Sequence, residues 1–263
     1  MEVGISTASL FLRSYVEDAL PILDSLGARV CEVFLNTFPE YAPPFGELLK
    51  TRLGGLKVNS MHTYTFHFEP ELFSQSMRSR DVADKTFKDV LSIGKTLGAK
   101  YYTMHARGRL KKHASPDNFE AFGKGIDRLA GIAEEYGIRL CLENVEWASY
   151  NRVGFFREIK KFSPKLGGVL DVKQARLSGM DYRDYLDEMG KDLCTVHLSD
   201  VDENGRIRLP GKGIFDFEEL FKRLIGIGFD GNMLIEVYKD DYGETSELKD
   251  SLDYLREILY KLK

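Results

Sequence analysis

Apolar residues fall into two alternating patterns along this chain. Short runs rich in Val, Ile, Leu and Tyr suit strands buried on both faces, and they occur at 3–6, 30–35, 57–62, 101–105, 139–143, 167–171, 195–198 and 233–237. Longer segments between them carry apolar residues at helical spacing. In "DVADKTFKDVLSIGKTLG", Ala83, Phe87, Val90, Leu91 and Leu97 share one side and Gly98 supplies the stop. "SPDNFEAFGKGIDRLAGIAEEYG" predicts a helix capped by Ser115, with Pro116 in its first turn, Phe119, Phe122, Ile126, Leu129 and Ala133 on one face, and Gly137 at its end. The last helix aligns Leu248, Leu252, Leu255 and Leu259.

Eight strand-then-helix units in 263 residues fit a (β/α)8 TIM barrel, an α/β fold, formed by residues 1–263 as a single domain. No Ser/Gly/Pro-rich linker interrupts the alternation. The rival, a doubly wound open sheet, lacks its Gly-rich dinucleotide fingerprint after the first strand, "VGISTAS".

In a barrel the C-terminal strand ends converge on one mouth, so polar residues there meet in space. Reading those ends in order gives His62, His105, Glu143, Asp171, His197 and Glu236, with Glu32 a further acid on the second strand. Buried carboxylates without compensation are costly, whereas a divalent ion offsets them. Glu143, Asp171, His197 and Glu236 therefore form a candidate metal shell, and its mixed N/O donors leave Mn²⁺, Mg²⁺, Co²⁺, Zn²⁺ and Fe²⁺ all open. Any one of these residues alone reads as an ordinary strand-end group; together they read as a site.

Composition narrows the partners. The formal net charge of -4 gives no electrostatic footprint for nucleic acid or an anionic membrane. No apolar run approaches the roughly 20 residues of a membrane span, and "MEVGISTASLFLRSY" has no basic leader or sustained apolar stretch. Cys31, Cys141 and Cys194 each sit in an apolar segment and suit reduced core thiols. A soluble cytoplasmic protein is the expectation.

At these strand ends the chain resembles the xylose isomerase-like TIM-barrel superfamily, in particular its sugar phosphate isomerase/epimerase branch, which is related to the apurinic-site endonucleases. The motifs are "GIST" at the first strand, "MH" at the third and fourth, "LEN" at the fifth, "LD" at the sixth, "HLSD" then "PGKGIFDF" around the seventh and "LIEVY" at the eighth. The resemblance implies a divalent metal on Glu143, Asp171, His197 and Glu236, a small carbohydrate substrate, and Glu143 and Glu236 as the catalytic pair exchanging a proton through an enediolate. It leaves two roles for His62 and His105: hydrogen bonds to sugar hydroxyls, or a second metal shared with Glu143, as phosphoester hydrolysis requires. It also makes a homo-oligomer an expectation.

The chain departs from the family pattern at Gln174, where related enzymes often carry a histidine, and at "GRIRLPGKG", which lacks the aspartate and histidine the endonucleases use. A Gln bonds a hydroxyl but is no base. Arg208, or Arg206 beside it, is a candidate for a substrate oxygen or phosphate; Lys173 either binds substrate or pairs with a site carboxylate. The basic run "HARGRLKKH" reads as a surface charge run, with Arg107 its most inward member. Phe11, Phe66 and Trp147 follow the first, third and fifth strands, either lining the mouth against a sugar face or packing the loops. A metal-dependent isomerase or epimerase leads; a lyase or dehydratase on the same site, a phosphoester hydrolase and a non-catalytic sugar-binding module are the alternatives.

Overall fold

The computed structural model describes residues 1–108 and 118–262. Its strands are β1 (Val3–Ser6), β2 (Val30–Leu35), β3 (Lys57–Thr63), β4 (Tyr101–Met104), β5 (Arg139–Glu143), β6 (Gly167–Asp171), β7 (Leu193–Leu198), β8 (Asp200–Val201), β9 (Ile207–Arg208) and β10 (Asn232–Ile235). Eight of them close a parallel barrel in the order β1-β10-β7-β6-β5-β4-β3-β2, while β8 and β9 form a separate antiparallel hairpin. The barrel strands lie where the apolar runs place them, with β3, β4, β7 and β10 shifted at their ends by one or two residues. His105 and Glu236 consequently stand one residue beyond their strands, already on the loops of the mouth.

Nine helices among the described residues cover the barrel: α1 (Val16–Ser25), α2 (Pro43–Arg52), α3 (Met77–Leu97), α4 (Phe119–Glu135), α5 (Phe155–Lys160), α6 (Val172–Leu177), α7 (Tyr182–Met189), α8 (Phe217–Gly226) and α9 (Glu247–Lys261). In α3 the expected face is buried, and Gly98 ends the helix at φ 73°, a left-handed conformation that costs a side chain but not glycine. Leu248, Leu252, Leu255 and Leu259 of α9 are all buried, worth about 2 kcal/mol each in removed apolar surface. The cap of α4 differs from expectation: Asn118 accepts from the Ala121 N–H and the helix begins at Phe119, while Ser115 and Pro116 lie outside the described residues.

Inside the barrel, polar side chains close the end away from the mouth. Asn59 of β3 donates to the Thr195 hydroxyl of β7 at 2.9 Å, and Asn232 of β10 donates to Asn59 at 3.1 Å. Gly167 is required where it stands, because a Cβ there would meet the sulfurs of Cys194 and Cys141 at 2.6 and 2.7 Å. All three cysteines are buried free thiols. Among the described residues no helix is long and apolar enough to cross a membrane.

Candidate metal centre and substrate mouth

Parallel pairing brings the strand-end residues together. Asp171 is in register with His197 across β6 and β7, and His62 with Thr103 across β3 and β4. Ligand atoms of Glu143, Asp171, His197 and Glu236 all lie within 4.8 Å of one another, and all four residues are buried. His197 is the hub: its Nδ1 is 3.2 Å from Glu143 Oε1 and 3.4 Å from Glu236 Oε2, and its Nε2 is 3.3 Å from Glu32 Oε1.

Glu32 explains how that histidine is aimed. Hydroxyls of Ser6, Ser60 and Thr103, from β1, β3 and β4, donate to its carboxylate at 3.2, 2.7 and 2.8 Å. Burial alone would raise its pKa, yet the charge of neighbouring His197 outweighs this and helps hold it at about 2. A fixed anion behind one imidazole nitrogen orients the other toward the cluster, the usual arrangement behind a metal-bound histidine. The sequence marks Glu32 as a strand acid; only the barrel shows which residue it serves.

The three carboxylates of the cluster settle differently. Burial would raise the Glu143 pKa, but His197 and His105 drive it well below its usual range. Glu236 is pushed up to about 7 by burial that His197 only partly offsets, and Asp171 is also raised by burial. His197 itself is lifted well above its usual value, since Glu236, Glu32 and Glu143 together outweigh its burial.

The donor set fits a divalent ion. Asp171 Oδ2 and Glu236 Oε2 are buried and without any hydrogen-bond partner, a costly condition that a cation between them relieves. The other Asp171 oxygen accepts the Gln174 N–H at 2.9 Å and so caps α6. Asn144 fixes the same strand end, donating to the Asp171 carbonyl and accepting its N–H at 2.9 and 2.8 Å.

A second group, His62, His105 and Glu143, also meets within 4.8 Å. Its histidines already make hydrogen bonds within the protein. His105 Nε2 bonds Glu143 Oε2 at 2.7 Å and its Nδ1 bonds the Thr65 hydroxyl at 2.7 Å; His62 Nδ1 bonds the Thr103 carbonyl at 3.1 Å. Burial and the neighbouring His105 hold the His62 pKa at about 4, so this imidazole is neutral near pH 7.

The sequence reading passed over Glu69. Lying beyond β3 and fully buried, this carboxylate accepts the N–H groups of His105 and Ala106 at 3.0 and 2.8 Å and the Tyr102 hydroxyl at 2.9 Å. It secures a strained turn, for Ala106 has φ 65°. Its setting in "FHFEPELF", an acid amid aromatics, was the available signal.

A cavity of about 290 Å³ opens beside the cluster, lined by Phe11, Phe34, His62, Phe66, His105, Trp147, Glu236 and Tyr238 among others. Phe66 stacks on Trp147 at 5.0 Å, and Trp147 stands edge-on to His105 at 5.1 Å. The other expected contacts are placed elsewhere. Gln174 is buried and its side-chain oxygen accepts the Glu146 N–H at 3.2 Å. Arg208 lies on β9, 3.0 Å from Asp202, outside the lining of this cavity. Arg107 rests over the Phe122 ring at 5.1 Å, and residues 109–113 of the basic run lie outside the described residues.

Comparison with known proteins agrees with this architecture. An uncharacterised protein of Methanocaldococcus jannaschii is 25% identical over 250 residues, covering 90% of this chain and 88% of its own. A D-psicose 3-epimerase from Clostridium cellulolyticum H10, solved with D-tagatose, superposes with TM-score 0.79 at 18% identity, covering 98% of this chain and 99% of that one. The IolI protein solved with a zinc atom gives TM-score 0.79 at 19% identity, covering 99% of each chain. The model of one family, the xylose isomerase-like TIM barrel, matches residues 20–258, and the chain belongs to that family.

Proposed function

We propose that this protein is a divalent-metal-dependent sugar isomerase or epimerase that moves a proton to and from the carbon beside a carbonyl. The observation that carries this reading is the placement of Glu143 and Glu236 against one nitrogen of His197, in a cluster whose buried carboxylate oxygens lack hydrogen bonds, beside an aromatic cavity. Glu143, Asp171, His197 and Glu236 would hold the ion, which when bound supplies Lewis-acid polarisation of the substrate's carbonyl. One glutamate removes the proton beside the carbonyl and the other returns it, to the opposite face for epimerisation or to the neighbouring carbon for isomerisation. His62 offers a sugar hydroxyl its second ring nitrogen from the cavity wall, His105 holds Glu143 in place, and Trp147 with Phe66 covers an apolar sugar face. The relatives support the substrate class, since the solved neighbours include sugar epimerases.

The phosphoester-hydrolase reading requires a second ion at His62, His105 and Glu143. It ranks second because Gln174 and "GRIRLPGKG" stand where the endonucleases carry further histidine and aspartate. The test is elemental analysis of the purified protein together with a D₂O assay on D-psicose, D-tagatose and D-fructose, in the parent and in Glu143→Gln. Deuterium uptake beside the carbonyl, about one ion per chain and loss of exchange in Glu143→Gln are expected. Two ions per chain with cleavage of a model phosphodiester would overturn the proposal.

A further inference from the structure

Lys173 is the second residue of α6, and its side chain is 2% exposed. Its ammonium lies 3.8 Å from Asp171 Oδ2 and 4.2 Å from the centre of the Tyr238 ring, with no hydrogen-bond partner. This is not how the chain's lysines behave when they pair with acids: Lys160 stands 2.9 Å from Asp192, and Lys222 stands 2.6 Å from Glu218. A buried ammonium held short of a hydrogen bond keeps its donors for something that arrives later. Lys173 itself lines a second cavity with Arg176 and Asp181, and its ammonium meets the mouth through two neighbours: Asp171, of the candidate metal shell, and Tyr238, which lines the mouth cavity beside Glu236.

We propose that Lys173 is a catalytic residue whose ammonium binds the substrate oxygen that becomes negative when the proton leaves. The inference rests on the isomerase or epimerase reading. In the step, the C–H bond beside the carbonyl breaks, its proton passes to a glutamate carboxylate, and its electron pair forms the C–C double bond. The carbonyl π pair moves onto the oxygen, where Lys173 donates a hydrogen bond; reprotonation of carbon reverses the flow. Lys173 supplies a cation next to the position where Gln174, tied to the Glu146 N–H, offers no acid or base.

The test compares two small ligands on the Mn²⁺-loaded protein: glycolohydroxamate, which carries the shape and charge of an enediolate, and neutral glycolamide. Trp147, the chain's sole tryptophan and a wall of the cavity, reports binding by fluorescence. Lys173→Met is expected to weaken glycolohydroxamate about 10- to 100-fold while glycolamide binding and manganese content stay as in the parent. On a ketose substrate the same variant lowers kcat with little change in KM. Lys173→Gln, which keeps a donor without the charge, carries the test if the methionine variant does not fold, and weakens the hydroxamate about fivefold or more. No hydroxamate binding by the parent, equal weakening of both ligands, or loss of manganese with the lysine would overturn the proposal. A parent that turns over no ketose defeats the isomerase reading instead, and the hydroxamate comparison still decides the role of Lys173.

Discussion

The two halves of the barrel mouth solve the problem of buried polarity in opposite ways. Around β5, β6, β7 and β10, acids crowd His197 and leave Asp171 Oδ2 and Glu236 Oε2 without hydrogen bonds. Around β3 and β4, His105 and Glu69 find protein partners at hydrogen-bond distance. An unsatisfied buried oxygen costs stability, and two of them in one cluster are the ground on which a bound cation is proposed. A satisfied network is already rigid and serves to shape what lies over it. The first half seeks a ligand and the second holds its wall in place.

The largest effect should come from removing an acid on the first half. Asp171→Asn is expected to lower metal affinity at least about 100-fold and to abolish deuterium exchange, because it deletes a ligand charge and leaves the Gln174 cap intact. His105→Ala, on the second half, should keep the metal and lower kcat/KM by about 10- to 100-fold through lost orientation of Glu143. Elemental analysis of both variants breaks the comparison if His105→Ala loses as much metal as Asp171→Asn.

How far the sequence carried depended on which side of a strand end a residue occupied. Apolar runs ending in Glu143 and Asp171 announce both the strands and the acids that close them, so the barrel and four-residue cluster were legible. The support behind them was not. Glu32 sits within an apolar strand, and its service to His197 depends on inward direction and neighbouring hydroxyls from three other strands. Glu69 lies in a short irregular segment with no period to read. The β8 and β9 hairpin was missed although "DENGR" carries an Asn-Gly turn, with Gly205 at φ 81°.

Glu69 sharpens the contrast through pH. Burial raises its pKa to about 7, against 4.5 in the unfolded chain. Between those values the folded state binds the proton and the unfolded state has lost it, so the stabilisation is complete below the unfolded pKa and lost as pH rises through about 7. The shift corresponds to at most about 3 kcal/mol. In Glu69→Gln the amide mimics the protonated acid: its oxygen accepts the two backbone N–H groups while its nitrogen donates to Tyr102 and Thr63 oxygens. The difference in denaturant stability of metal-free parent and variant should therefore move in the variant's favour between pH 5 and pH 8. A difference independent of pH would show that Glu69 stays ionised and belongs with the cation-seeking half.

The smallest effect is expected at Arg208, which tests where the mouth ends. Its guanidinium is about one-third exposed and faces Asp202 across the hairpin, and such pairs contribute little. The adjoining loop is organised instead by Asp200, whose carboxylate accepts the N–H groups of Gly211, Gly213 and Phe215 at 3.0, 2.9 and 2.9 Å. Arg208→Ala should therefore leave that turn formed and change kcat/KM for an unphosphorylated ketose by less than about twofold. Assaying a ketose and its phosphate side by side decides the matter. If KM rises about tenfold for the phosphate alone, Arg208 must leave Asp202 for substrate, and the hairpin becomes a third, mobile region of the mouth.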